Sequence, residues 1–418
     1  RTAAVAQFNE IKPTVVAVMN ESFTDLSCFE QLQAAGYFGP TFYNSLPDTL
    51  VRGTMLASVA GGGTANSEFE FLTGATTAFV GVGKIPYQLY QMSDVDSLAK
   101  DLKELGYTAT AMHPQNPVNY HRDKIYQQLG FGDFLSIDDF EGASYYHAGV
   151  CDYVTYDKIL ELLRTNEAPQ FIFDVTMQNH GGYEVGSVPA EELTNYCVEG
   201  ASEGTNAMLN TYLTCINASD RDLEYFINEL RNIGRPVVLV FFGDHQPSIA
   251  AALNDELYPQ EDTASHAFRI HQSTYFVWAN YEIAGNTELN VYDTVGANEI
   301  AAIALNKIGA PLTDYQKALL ATRSDVPTIN VAGYLGADGL RYDLESEESL
   351  AHKRGYNDAR VTSRDPSPNN NHKESNMGCE HAQAAGGQTA PSQFEENTLS
   401  EVKRVIAVLS GKGGVGKS

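Results

Sequence analysis

Cysteine, positive charge and long apolar runs are all scarce in this sequence. Its 5 cysteines in 418 residues, at positions 28, 151, 197, 215 and 379, show no C-x-x-C spacing, which argues against a thiolate zinc site or a disulfide framework. Cys197 and Cys215 are near enough in sequence to pair across a loop, with free buried thiols as the alternative. The apolar runs are strand-sized, such as 14–19 and 237–242, and fall short of the ~18–20 residues that cross a bilayer. No secretory leader is legible, and a chain that opens on Arg1 points to an upstream segment that has been removed. Lys and Arg number 27 against 53 Asp and Glu, a net charge of −26 at pH 7. Such a chain lacks the basic face that displaces counterions from nucleic acid. It is also poorly matched to an anionic bilayer surface. If the substrate is an anion, a metal ion or a few local cations must reverse the field at the site.

What the sequence does contain is an ordinary globular composition, 43% hydrophobic and 10% aromatic. Its length suits two or three domains, or one large α/β domain with appendages. Strand-like runs at 14–19, 107–112, 170–175, 236–242 and 273–278 alternate with helical patterns. Helices are expected at 93–105 (Ser93 as N-cap, Gly106 as terminator), 152–163 and 217–233. This alternation predicts an α/β fold, a largely parallel sheet sandwiched between helices. The expected organisation is a catalytic unit over 1–325, a small appendage over 326–359, a polar Pro- and Gly-punctuated linker over 360–397 that is predicted disordered, and a terminal fragment over 398–418.

In open parallel sheets, ligands sit beyond the carboxyl ends of the strands. After 14–19 come Asn20 and Glu21; after 236–242 come Gly243, Asp244 and His245. The run 170–175 leads into TMQNH, ending at His180, and 107–112 leads to His113. Glu21, Asp244 and His245 form an oxygen-and-imidazole set suited to Mn²⁺, Mg²⁺ or Zn²⁺; singly, each is as easily a cap or a solvated loop residue. A second feature is GGGTANSE at 61–68. Its glycines let the backbone approach a ligand closely, and Thr64 stands where a helix begins, facing unpaired N–H groups that favour a phosphate. The plainer job for Thr64 is an N-cap. In the stretch 113–123, Arg122 is able to fork onto phosphate oxygens beside the aromatic wall of Tyr120, or else to pair with Asp123 at the surface.

These pieces together resemble the catalytic domain of the lipoteichoic acid synthase and phosphoglycerol transferase family, within the alkaline phosphatase/sulfatase superfamily. The carrying motifs are NESF (20–23), GGGTANSEFEFLTG (61–74), YHRDKIYQQLGF (120–131), MQNHGGY (177–183) and FFGDHQPS (241–248), in the family's order across about 13–285. The resemblance implies that Glu21, Thr64, Asp244 and His245 surround one manganese-type ion, with Thr64 as nucleophile. It implies that Arg122 and His180, with Tyr120 and His113 nearby, hold a phosphoglycerol head group. Tyr120 stands where the best-known synthases carry Trp, and Gln246 where an aromatic is common. The implied reaction moves glycerophosphate from phosphatidylglycerol, through a phospho-threonine, to a hydroxyl of a polymer or glycolipid. His180 is expected to protonate the leaving oxygen or to hydrogen-bond the glycerol hydroxyls. The implied setting is a monomer on the outer side of the cell membrane, joined to it by an N-terminal transmembrane region not in this sequence. Other readings are a hydrolase or phosphoethanolamine transferase of the same superfamily, or a non-catalytic module binding polyglycerolphosphate. Formylglycine-type sulfatase chemistry is disfavoured, because Thr64 cannot be converted to formylglycine.

The last residues, GKGGVGKS (411–418), satisfy the G-x-x-x-x-G-K-[ST] pattern after a strand-like 402–409. They resemble the opening of Mrp-type P-loop ATPases, with Lys412 as the hallmark lysine. No helix or second aspartate strand follows in the sequence, so nucleotide hydrolysis is not expected, and a chimeric join around 360–395 is.

Overall fold

A computed structural model describes residues 1–344 apart from position 82. The expectations for 345–418, the linker, Cys379 and the P-loop pattern among them, lie outside the described residues. The elements that build the site are β1 (Thr14–Asn20), β2 (Thr49–Leu56), α1 (Thr64–Thr73), α2 (Leu98–Glu104), β3 (Thr108–Met112), α3 (Arg122–Gln128), β4 (Asp133–Leu135), α4 (Asp152–Thr165), β5 (Gln170–Val175), α5 (Glu203–Arg231), β6 (Val237–Gly243), β7 (Gln272–Ala279) and β8 (Val291–Gly296). The eight strands form one sheet in the order β8-β2-β7-β6-β1-β5-β3-β4. Only β7 runs against its neighbours, β2 and β6. The other pairs are parallel.

A sheet covered on both faces needs strands apolar on both faces, and β1 meets that demand with every residue buried. Val15, Ala17 and Met19 point into one core, against Phe71 of α1 and Ile300. Val16 and Val18 point into the other, against Tyr156 of α4 and Leu213 of α5. Full burial of one such side chain contributes roughly 1.5–3 kcal/mol, so a central strand of this kind is an energetic keel for the fold. The parallel register puts Asn20 of β1 beside Gly243 of β6, and Met19 beside Val175 of β5. The segments that follow these strands therefore emerge at one edge.

Three local expectations need correction. The helix expected from Ser93 begins at Leu98, capped by Ser97, whose hydroxyl accepts from the Lys100 amide at 3.3 Å. The Lys100 ammonium binds the carbonyls of Ser93 and Val95, holding that stretch in a turn. The helix expected at 217–233 starts at Glu203 instead, capped by Ser202; its first half buries Thr205, Asn210, Thr211 and Thr214, which blur the apolar period. Strand β2 was not expected, because Arg52, Gly53 and Thr54 interrupt its apolar pattern, yet it pairs on both sides. Beyond the main sheet, Thr328–Asn330, Gly333–Leu335 and Arg341–Tyr342 form a small antiparallel sheet, which packs on Ala302 and Leu319. Cys197 and Cys215 are both free thiols. Among the described residues, no helix is long and apolar enough to cross a membrane.

Candidate active site

The chain leaves β1 and β6 side by side and turns sharply at both exits. At Gly243 a Cβ would stand 1.7 Å from the Phe23 carbonyl oxygen, so only glycine lets the two segments pass. Ser22 adopts a left-handed conformation (φ 52°). Its amide donates to Asp244 Oδ1 at 2.8 Å, and its hydroxyl donates to Glu21 Oε1 at 2.8 Å. A strained non-glycine residue held by its neighbours is a common mark of a functional site. The Glu21 amide is fixed by the Thr176 hydroxyl at 3.1 Å.

These constraints bring one ligand-type atom each from Glu21, Asp244 and His245 to within 4.8 Å of one another, all three side chains buried. His245 Nε2 lies 3.0 Å from Asp244 Oδ2 and 3.9 Å from Glu21 Oε1. Even so, Asp244 Oδ2 and His245 Nε2 have no hydrogen-bond partner. Buried polar atoms left bare are costly, and these two converge with a second carboxylate. The other ring nitrogen, Nδ1, sits 2.8 Å from the Gln246 carbonyl and so carries a proton, which leaves Nε2 as the atom that faces the carboxylates. The donor set fits a divalent ion. In the ion-free protein, burial and the nearby Asp244 push the Glu21 carboxyl up to about 7. Burial opposes the charge of His245, but Asp244 prevails and lifts the imidazole to about 9. Burial likewise opposes the charge of Asp244, yet His245 and the Ser22 amide outweigh it and hold that carboxyl low, with the Thr64 hydroxyl close enough to add to the effect.

Thr64 is the first residue of α1, and the N-cap is Gly63 rather than Thr64. Gly63 is left-handed (φ 87°), and a Cβ there would meet Val59 at 2.9 Å. The cap position is thus filled without a side-chain cap, and the Thr64 hydroxyl stays available at the positive end of the helix. Helix and Asp244–His245 loop are tied together: the Ser67 hydroxyl donates to the Asp244 carbonyl at 2.6 Å, and the Gly61 amide donates to the Gln246 carbonyl at 2.9 Å.

Arg122 does not form the surface pair with Asp123 considered from sequence. It is buried, and its Nε and Nη2 grip Glu68 on α1, four residues beyond Thr64. The Tyr126 hydroxyl also donates to Glu68 at 2.7 Å. Nη1 makes no hydrogen bond among the described residues, and the guanidinium is close enough to Glu21 to favour its charge. Tyr120 packs its ring 5.0 Å from the Arg122 guanidinium; it and His121 are consecutive left-handed residues. His113 is buried at the end of β3, with Nδ1 2.8 Å from the Val175 carbonyl. Burial, aided by Arg122, keeps it well below the usual imidazole range, hence neutral.

His180 lies on the loop after β5 and is exposed. Its ring makes no hydrogen bond among the described residues. Gln246 is buried and donates to the Arg269 carbonyl at 2.8 Å, so the departure at that position is absorbed inside the fold. Sequence reasoning missed Ser22, Thr176 and Glu68. Of these only Glu68 left a trace, as an acid one helical turn beyond Thr64.

A family model described as "Sulfatase" matches residues 13–302. A Rhizobium meliloti (strain 1021) protein provisionally assigned to cyclic beta-1,2-glucan modification is 29% identical over 276 residues, 64% of this chain. The aligned part is 42% of that relative, so the chain spans less than half its length. Among solved structures, the Streptococcus pyogenes phosphoglycerol transferase GacH, in complex with sn-glycerol-1-phosphate, superposes with a TM-score of 0.64 at 21% identity, covering 86% of this chain and 89% of that one. The lipoteichoic acid synthase LtaP from Listeria monocytogenes superposes with a TM-score of 0.57 at 15% identity, covering 84% and 91%. At these identities the superpositions speak for the fold.

Proposed function

The chain belongs to the sulfatase family, and from that premise we propose that it is a divalent-metal-dependent phosphoglycerol transferase of the lipoteichoic acid synthase type. The observation that carries this reading is the convergence of Glu21, Asp244 and His245, with two of their buried atoms bare, beside a hydroxyl at a helix N-terminus. Glu21, Asp244 and His245, with Thr64, would hold the ion, Mn²⁺ in our reading, with Mg²⁺ and Zn²⁺ as alternatives. A divalent ion so held lowers the pKa of a neighbouring hydroxyl and offsets charge on phosphoryl oxygens.

Thr64 supplies the nucleophile. Its O–H bond breaks with the proton passing to solvent, an Oγ1–P bond forms with the phosphorus of phosphatidylglycerol, and the P–O bond to diacylglycerol breaks. His180, free at the rim, gives the proton to the departing oxygen. The free edge of Arg122 meets the phosphoryl oxygens, and Tyr120 and the neutral His113 line the head-group site. A hydroxyl of the acceptor then attacks the same phosphorus, its proton passing to His180, and the Oγ1–P bond breaks to release Thr64, which takes a proton back from solvent. In this reading the acceptor is a glycerophosphate polymer or glycolipid, and the catalytic unit works as a monomer on the outer side of the cell membrane. The Rhizobium relative favours a second acceptor, a glucan hydroxyl, with the same donor half-reaction.

The test is release of diacylglycerol from a fluorescent phosphatidylglycerol analogue, with EDTA and then with Mn²⁺ restored. Release that stops on chelation and resumes with the ion supports the proposal. Release that persists in EDTA, or no release with Mn²⁺, refutes it.

A further inference from the structure

The loop that carries His180 is fastened more thoroughly than an exposed loop needs to be. Each carbonyl from Met177 to His180 has a partner. Met177 accepts from the His180 amide at 3.2 Å, and Gln178 from the Ala148 amide at 3.4 Å. Asn179 accepts from the Tyr183 hydroxyl at 2.7 Å. The His180 carbonyl lies 3.1 Å from Nε2 of His147. From below, the Asn179 amide group donates to Asn20, the residue before Glu21, and to Ser219 of α5. The backbone is therefore pinned on all sides while the His180 ring is left without a structural bond.

His147 sits at the tip of a short hairpin (Tyr145–Tyr146 and Gly149–Val150). The hairpin lies directly on the His180 loop: a Cβ on Gly149 would stand 2.4 Å from the Met177 carbonyl oxygen. His147 adopts a left-handed conformation (φ 52°), a strained choice for a non-glycine residue. Its ring stacks on Tyr183 at 5.3 Å and 7°, and its Nδ1 is 2.9 Å from the Ser187 hydroxyl. Because a carbonyl only accepts, the bond to His180 puts the proton on Nε2, and Nδ1 then accepts from the Ser187 hydroxyl, for which the Glu184 carbonyl at 2.8 Å competes. The positive φ is what the first position of a two-residue hairpin turn requires; the stacking and the ring's two polar contacts then hold it against the backbone of His180.

We infer that His147 is a positioning residue, which sets the orientation of His180 by holding its carbonyl. This rests on the reading above in which His180 faces the substrate. Orientation errors of this order cost catalysis far more than binding, so the effect belongs in kcat rather than KM.

The experiment compares the full chain with His147→Ala, His147→Gln, His180→Ala and the His147→Ala/His180→Ala double variant, using the fluorescent phosphatidylglycerol analogue with Mn²⁺. His147→Ala should lower kcat about 10-fold with KM changed less than about 3-fold, and His147→Gln, which keeps an N–H donor, should recover part of the loss. Within the His180→Ala background, His147→Ala should cost nothing further. Independently of any activity, amide hydrogen exchange over 178–184 should quicken several-fold in His147→Ala while exchange in β1 and β6 stays unchanged. An equal kcat loss in both backgrounds, or unchanged exchange over 178–184, overturns the inference. Inactivity of the unmodified chain with quickened exchange in His147→Ala would instead count against the proposed donor while upholding the clamp.

Discussion

Two buried charged clusters flank Thr64, and they differ in one respect. In the first, Glu68, Arg122 and Tyr126 satisfy one another: two guanidinium nitrogens and a phenol meet one carboxylate. In the second, Glu21, Asp244 and His245 are equally buried, yet Asp244 Oδ2 and His245 Nε2, 3.0 Å apart, have no hydrogen bond and two carboxylates repel. Both clusters incur the desolvation cost of charge. The closed cluster offsets it internally, so it is structural and holds Arg122 in place. The open one leaves the cost standing, and that is where our proposal puts the ion.

Substitutions should separate the two. The largest effect is expected at the hydroxyl between them: Thr64→Ala should lower diacylglycerol release by at least about 10³-fold, with unfolding in denaturant and Mn²⁺ affinity changed little. Next, Glu21→Gln should weaken Mn²⁺ binding, measured by calorimetry, by on the order of 10²-fold or more, and activity with it. In EDTA the same variant should be no less stable than the parent, because it removes a repelled charge. A clear loss of stability there would make the open cluster structural. Glu68→Ala should do the reverse, costing about 3–5 kcal/mol in urea unfolding by stranding Arg122, with Mn²⁺ affinity nearly intact. A Glu68→Ala protein as stable as the parent would break the contrast.

The smallest effect concerns Asp174 of β5, away from both clusters, whose carboxyl burial pushes up to about 8. With its folded pKa above the unfolded value, the group binds a proton on folding. Its contribution is fully present below the ordinary carboxyl range and is lost as pH rises through about 8. Asp174→Asn should therefore gain stability relative to the parent between pH 6 and 8, by about 1–2 kcal/mol. A constant difference across that window would contradict it.

The central sheet was legible because β1, β5 and β6 are apolar on both faces, as only doubly covered strands need to be. Their exits then named Glu21, His180, Asp244 and His245. Strand β2 escaped because Arg52 turns its guanidinium back onto the carbonyls of Tyr43 and Leu46, a long-stemmed solution that reads as a loop. The start of α5 escaped because its buried threonines and asparagines satisfy themselves on nearby backbone, as Thr214 does on Asn210. Arg122 was legible as a cation near the site, but its pairing with Glu68 was not, since the partners lie 54 residues apart. His147 was invisible for the same reason: its only argument is a contact with the backbone of a distant loop.

The most direct measurement is tandem mass spectrometry of the protein quenched after mixing with phosphatidylglycerol and Mn²⁺. The account predicts a glycerophosphoryl group on the peptide containing Thr64, on Thr64 itself, absent when EDTA replaces the ion and absent in Thr64→Ala. Turnover with Thr64 unmodified at every quench time, or the group carried by another residue, would contradict it.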